Sequence, residues 1–269
     1  LLTRNGASSY FIGPEGNAGP EYDIAEAFAD YLGLSIRVKV ASEFSDLESL
    51  LKKRQGELIA ANLTRTRARE KLFSFGPDYA DVTTMVVYKR GKKRPREMAD
   101  LLGMNVSVIA GSSYESLLEN ARATLPDLKW TPAKSVGMED LLLAIADGEL
   151  DVTLVDSNIF KTSGQFYPRL RPGFTLEEQQ HQAWAFLPGD DDSLVQKARS
   201  FFRLIKENGR LAEIQDRYNA NDTELDRVGM FQFMKQVRNR LPALIPIFQE
   251  VAEAYDLDWR LLAAMGYQE

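Results

Sequence analysis

Residues 47–64 read LESLLKKRQGELIAANLT, and residues 138–156 read MEDLLLAIADGELDVTLVD. Each run carries apolar residues at helical spacing, then a Gly-Glu-Leu turn, then a short apolar strand that ends near a polar residue. Glycine after a helical run is a natural stop, because it accepts the left-handed backbone of a helix C-terminus. The repetition predicts two similarly built α/β lobes. Working outward, Ile24, Phe28, Tyr31 and Leu32 follow helical spacing up to Gly33, and Ile36, Val38 and Val40 alternate as a half-buried strand. Such alternation from Leu1 to about Asn221 predicts α/β architecture with a largely parallel sheet. Between the two runs, YKRGKKRPREMAD (residues 88–100) reads as a solvated loop or a crossing between lobes.

The chain has 269 residues, 44% hydrophobic and 27% charged, with 33 Lys plus Arg against 39 Asp plus Glu, a net charge of -6. This balance gives no general attraction for nucleic acid or anionic lipid. With no cysteine, disulfides, thiolate-ligated metals and thiol nucleophiles are all excluded. The single histidine, His181, leaves no multi-histidine metal site and little room for a Ser-His-Asp triad; no metal and no cofactor is expected. The longest apolar run, Leu141–Ala146, falls far short of the ~20 residues that span a bilayer. The chain opens on Leu1 in what reads as a strand, and it closes inside an apolar-periodic helix with no stop signal. A piece of a longer protein is expected, with a signal peptide or lipid anchor upstream.

After residue 220 the texture changes. A polar linker is expected at 221–227, then an all-helical piece over 228–269 in which Pro242 and Pro246 break or open a helix and Asp258 caps the last one.

Five stretches, in order, resemble the periplasmic solute-binding proteins for polar amino acids, which share the fold of ionotropic glutamate receptor ligand cores. GPEYDIAEAFADYLGL (19–34) resembles that family's early helix. GELIAANLTRTRAREKLFSFGPDY (56–79) is similar to its most diagnostic segment, with Thr, an Arg five residues on, Phe-Ser and Pro-Tyr. VSVIAGSSYESLL (106–118) resembles the strand, Gly-Ser turn and helix of the second lobe, and DGELDVTLVD (147–156) the strand ending in a ligand-facing Asp. Residues 182–218 are similar to the closing helices. The resemblance implies a two-lobed α/β binding-protein fold of type II over residues 1–220. Lobe 1 is about 1–88 and 185–220, and lobe 2 about 89–184, with crossings near Val87–Arg90 and Gln182–Phe186.

The same resemblance implies a site for a zwitterion. Arg69 matches the family arginine, whose planar fork grips a carboxylate, and its expected partners are the Thr64 hydroxyl and the main chain at Asn62. Ser112 and Ser113 open a helix whose free N–H groups favour an anion. Asp156 closes a strand and would pair with an ammonium group, and Tyr10 is the expected aromatic wall. Asn62 stands where the family usually has Gly or Ala, and Arg65 and Arg67 add charge, which leaves room for a peptide as well as an amino acid.

YDLDWRLLAAMGYQE (255–269) resembles the beginning of a lysozyme-like lytic transglycosylase domain, where such a helix ends in the catalytic Glu. The fusion of the two modules is that of the membrane-bound lytic murein transglycosylases of the F type. The resemblance implies that Glu269 protonates the leaving oxygen of the MurNAc-GlcNAc bond in peptidoglycan. As carboxylate it then takes the proton of the sugar's own 6-hydroxyl, which closes a 1,6-anhydro ring without water. That role needs a raised carboxyl pKa, which a dry cleft supplies.

The expected partners are therefore peptidoglycan glycan strands and, in the sensor, an amino acid or muropeptide. The expected location is the periplasm, at the outer membrane, and this piece alone is expected to be inactive. A non-enzymatic amino-acid or peptide receptor with a helical tail is the alternative.

Overall fold

The structure is a computed structural model that describes residues 1–13, 16–189, 191–219, 237, 240–255 and 257–268. It divides into two compact units, Leu1–Asp222 and Thr223–Glu269. The linker expected at 221–227 and the acid expected at Glu269 lie outside the described residues.

The first unit has the two-lobed α/β architecture. In chain order its elements begin with β1 (Leu2–Thr3), β2 (Phe11–Gly13), β3 (Gly16–Ala18), α1 (Pro20–Leu32), β4 (Lys39–Val40), α2 (Asp46–Lys52), β5 (Leu58–Ile59), α3 (Arg67–Glu70) and the long β6 (Ser74–Lys89). The second lobe follows with β7 (Ser107–Ile109), α4 (Ser113–Arg122), β8 (Thr131–Ala133), α5 (Met138–Asp147), β9 (Val152–Asp156) and α6 (Ser157–Ser163). The long β10 (Leu170–Phe186) then returns to α7 (Ser193–Glu207) and α8 (Arg210–Asn219).

The largest sheet has the order β4-β1-β5-β10-β6-β9. It is mixed, not largely parallel: β4, β1 and β5 run parallel, whereas β10 is antiparallel to β5 and β6, and β6 to β9. The reason lies in the two long strands, which cross between lobes in opposite directions side by side. Thr84–Tyr88 already pair with Val152–Asp156 of the second lobe, while Phe186 pairs with Leu58 of the first. Between them Ala80–Thr83 face Gln179–Gln182. The first crossing therefore comes earlier than the Val87–Arg90 expected from sequence, and the return crossing ends at Gln182.

The first lobe buries both faces of its sheet, with the period of two that strands impose. Leu58, Ala60, Trp184 and Phe186 share one core with α1, α7 and α8 through Phe28, Phe201, Phe202 and Ile214. Ile59, Ala61, Ala183 and Ala185 face α2 through Leu47 and Leu51. The echoed glycines serve different needs. Gly148 caps α5 with φ 88°, a left-handed backbone that side chains avoid. Gly56 lies beyond the end of α2, where an added Cβ would sit 2.6 Å from Leu2 Cγ. The strand expected at 36–40 is reduced to an edge pair, Lys39–Val40, which pairs with β1.

One buried carboxylate joins the layers of this lobe. Glu21, in the first turn of α1, is 1% exposed. It accepts hydrogen bonds from the Asn62 N–H at 2.7 Å, from the Trp184 Nε1–H at 2.9 Å and from the Tyr79 hydroxyl. Burial raises its pKa, and the three donors oppose that shift.

In the second unit, α9 (Leu241–Tyr255) and α10 (Trp259–Gln268) pack on each other. Pro242 lies in the first turn of α9 and Pro246 inside it. Asp258 caps α10 by accepting from the Arg260 N–H at 2.8 Å.

Replacing Glu21 by Ala strands three donors at once, those of the buried Tyr79 and Trp184 and of the half-buried Asn62. Urea denaturation of Glu21→Ala is expected to give a loss of about 3 kcal/mol or more, with a smaller loss for Glu21→Gln, which keeps an acceptor and sheds the buried charge. Equal stability of all three proteins would contradict the role given to this carboxylate.

Candidate functional site

The two lobes meet over a cleft of about 80 Å³. Asn62, Thr64 and Arg69 line it from the first lobe, and Ser112 and Ser113 from the second, so five of the residues expected from sequence come together. Each is positioned by local chemistry. Asn62 adopts φ 52°, a left-handed backbone that Asn tolerates better than most residues. Its side-chain amide donates to the Ser8 carbonyl at 2.9 Å and to Ser9 Oγ at 2.7 Å, which fixes the loop after β1 as a cleft wall. Arg69 sits in α3, whose N-cap Thr66 accepts from the Arg69 N–H. Its guanidinium donates to the Thr64 carbonyl at 2.9 Å and lies 5.0 Å from the centre of the Phe44 ring. The Thr64 contact is thus through its main chain, not its hydroxyl. Ser112 caps α4: its hydroxyl donates to the Ile109 carbonyl at 2.6 Å and accepts from the Glu115 N–H at 3.4 Å. Ser113 is the first residue of that helix, where N–H groups have no intrahelical partner.

Two expected residues do not reach the cleft. Tyr10 is buried with its ring 5.8 Å from that of Tyr22 and its hydroxyl donating to Asn17 Oδ1 at 2.8 Å. The aromatic residues that line the cleft are instead Phe44, from the loop before α2, and Tyr114 of α4. Asp156 does close β9, but it is 1% exposed and lies behind the lining. Its Oδ1 accepts from the Thr84 hydroxyl at 2.8 Å and its Oδ2 from Gln182 Nε2 at 3.2 Å. Arg65 is turned away to the Gly76 carbonyl and Asp78, so it adds no charge to the cleft.

Arg4 and Glu139 are lining residues that sequence reasoning missed. Arg4 follows β1 in TRNG, and Glu139 lies in the first turn of α5 after SVG; neither position carries a motif. Both belong to hydrogen bonds between the lobes: Arg4 donates to the Val136 carbonyl at 2.9 Å, and Glu139 Oε1 accepts from the Ala7 N–H at 3.0 Å. Arg69 Nη2 reaches the Gly111 carbonyl at 3.4 Å, and Ser135 bonds Glu43. Among the described residues no cluster of His, Asp and Glu could hold a metal ion, and no helix is long and apolar enough to cross a membrane.

The model of the bacterial extracellular solute-binding proteins, family 3, matches residues 8–221. The chain belongs to that family. Over its whole length it is also 37% identical to a membrane-bound lytic murein transglycosylase F of Stutzerimonas stutzeri (strain A1501), of which it covers 56%. It is 32% identical to another of that name from Hahella chejuensis (strain KCTC 2396), of which it covers 53%. The chain thus spans a little over half the length of these curated relatives. Among solved structures, the P235GK mutant of ArgBP from T. maritima gives a TM-score of 0.71 at 21% identity, covering 81% of this chain and 94% of that one. The substrate-binding protein AbpA from Streptococcus pneumoniae Canada MDR_19A, bound to L-arginine, gives 0.72 at 19% identity, covering 81% and 92%. At these identities the likeness shows the fold alone.

Burial sets the electrostatics of this family 3 site. Arg69 is lowered to about 10 by burial, against the opposing fields of Tyr114 and Asp156, and so stays charged at neutral pH. Burial pushes Asp156 up to about 6, although Thr84, Tyr114, Gln182 and Arg69 all pull it down. A carboxyl raised on folding is neutral in both states below about pH 4. It then costs stability as pH rises through about 6, because only the unfolded chain ionises freely. Against an Asp156→Asn variant, the wild type is expected to lose on the order of 3 kcal/mol of relative stability between pH 4 and pH 8. Paired urea denaturations at the two pH values measure this; a pH-independent difference would contradict the buried, raised carboxyl.

Proposed function

We propose that this chain is the solute-binding sensor, with the beginning of the catalytic domain, of a periplasmic lytic transglycosylase that acts on peptidoglycan at the outer membrane. The observation that carries the reading is the extent of similarity. Relatives named membrane-bound lytic murein transglycosylase F match all of the chain, including the helical unit beyond the solute-binding family match at residue 221. On this reading Glu269 is the single acid and base of non-hydrolytic MurNAc-GlcNAc cleavage, and the wall of its active site belongs to the part of the relatives that this chain does not span.

The sensor's ligand is an amino acid or a cell-wall peptide. Its carboxylate meets the Arg69 guanidinium and the N–H groups opening α4, with Phe44 as the apolar wall. A cleft of about 80 Å³ is roughly half the volume of an engineered cavity of ~150 Å³ that takes up benzene. Most amino acids therefore enter only when the lobes part, and the hydrogen bonds between lobes must give way. A ligand then biases the lobes by the difference in its affinity for their open and closed arrangements. In the natural full-length protein, that bias regulates access to Glu269.

The test is mass spectrometry of peptidoglycan sacculi treated with the natural full-length protein, beside its Glu269→Gln variant. The expected products end in 1,6-anhydro-N-acetylmuramic acid and are missing from the variant digest. Intact sacculi from folded protein would overturn the enzymatic reading in favour of a receptor. A cleavage rate that no sensor ligand changes would overturn the regulatory part alone.

A further inference from the structure

A zwitterion-binding cleft needs a carboxylate as well as Arg69, and the strand-end Asp156 is badly placed to supply it. Asp156 is almost fully buried, both its oxygens accept hydrogen bonds from Thr84 and Gln182, and it does not line the cleft. Among the described residues that line the cleft, Glu139 is the single acid. Its Oε1 accepts from the Ala7 N–H at 3.0 Å and the Ser163 hydroxyl at 3.1 Å, while Oε2 has no hydrogen-bond partner among the described residues.

Space is kept for that carboxylate on two sides. A Cβ added at Gly137 would lie 3.2 Å from Oε2, and one added at Gly6 would lie 3.5 Å from it. Both glycines line the cleft. Arg4 steadies the segment from the other lobe by holding the Val136 carbonyl. Its guanidinium lies in the field of Glu43, Asp140 and Asp46 as well as that of Glu139, so Glu139 is not its sole counter-charge.

Resting on the sensor reading above, we infer that Glu139, in place of Asp156, is the carboxylate that takes the cationic group of the cleft ligand. The ligand is then an ammonium-bearing carboxylic acid held between Arg69 on one lobe and Glu139 on the other. Its ammonium takes up Oε2 and competes for Oε1 with the Ala7 N–H, so ligand binding and the direct lobe contact are alternatives at one atom. Asp156 instead ties β9 to β6 and β10 behind the cleft.

Calorimetric titration of the full chain at pH 7.5 tests this with two matched pairs of probes. L-Alanine against L-lactate exchanges an α-ammonium for a hydroxyl, and L-lysine against L-norleucine removes a side-chain ammonium. In the wild type one ammonium-bearing probe is expected to bind at least tenfold tighter than its partner. Glu139→Gln is expected to collapse that preference to less than threefold, while Asp156→Asn keeps it within threefold of wild type. Gly137→Ala, which crowds Oε2, is expected to weaken the ammonium-bearing probe and spare its partner, so the answer does not depend on one variant folding. A preference that survives Glu139→Gln and vanishes in Asp156→Asn would overturn the assignment. If lactate and norleucine bind the wild type as well as alanine and lysine do, the cleft reads only the carboxylate and the assignment is also overturned. Failure of all four probes to bind folded wild type would remove the amino-acid reading itself, and the role of Glu139 with it.

Discussion

The carboxylate of Glu21 is the contact on which the cleft depends. Burying an ionisable group in the middle of a lobe is unfavourable unless it is fully hydrogen-bonded, and this one collects donors from three separate segments. Tyr79 belongs to the outgoing crossing strand, Trp184 to the returning one, and Asn62 to the cleft rim. The bond to the Asn62 N–H helps hold a left-handed residue, whose side chain then pins Ser8 and Ser9. A single buried anion thereby couples α1, both crossing strands and the wall that faces a ligand. The aromatic stack around it, with Trp184 4.7 Å from Phe202 and 5.6 Å from Phe28 between ring centres, excludes the water that would weaken those bonds.

Above this rigid base, the cleft is closed by weak and replaceable contacts. Among the described residues, four hydrogen bonds at the cleft tie loop and helix ends of one lobe to those of the other: Arg4 to Val136, Ala7 to Glu139, Arg69 to Gly111 and Ser135 to Glu43. Three of them use the charged side chains best suited to grip a ligand. Hydrogen bonds to charged groups contribute about 1.5–3 kcal/mol each, so on the sensor reading a ligand displaces them only by satisfying the same groups. The two crossing strands pair edge to edge between the lobes, with His181 2.7 Å from Asp81 at their centre.

Much of this was legible in the sequence, and the failures have physical causes. Helix periodicity exposed α1, α2, α5 and the turn before β9, because a 3.6-residue pattern is a local property. Arg69, Thr64 and Asn62 were legible through a motif whose spacing survives on one loop and one helical turn. Tyr10 was misread because its side chain's direction depends on how the loop after β1 folds back against α1, which is a tertiary fact. Asp156 was placed on the correct strand end, yet its exposure is decided by Thr84, Tyr114 and Gln182, which lie far away in sequence. The mixed sheet is not legible in the sequence because two long strands crossing between lobes look, residue by residue, like any other strands. Glu139 and Phe44 carry no motif at all; only assembly of both lobes shows them facing one cleft.

The proposed sensor requires that its two lobes open and close over this cleft. With no native cysteine in this chain, nitroxides can be attached cleanly at Lys53→Cys and Glu119→Cys, one exposed site on each lobe. Double electron–electron resonance then reads the distance between lobes directly. More than one distance is expected in the absence of ligand, and a shift to a single short distance on adding a free amino acid that calorimetry shows to bind. One unchanging distance, with and without such a ligand, would contradict it.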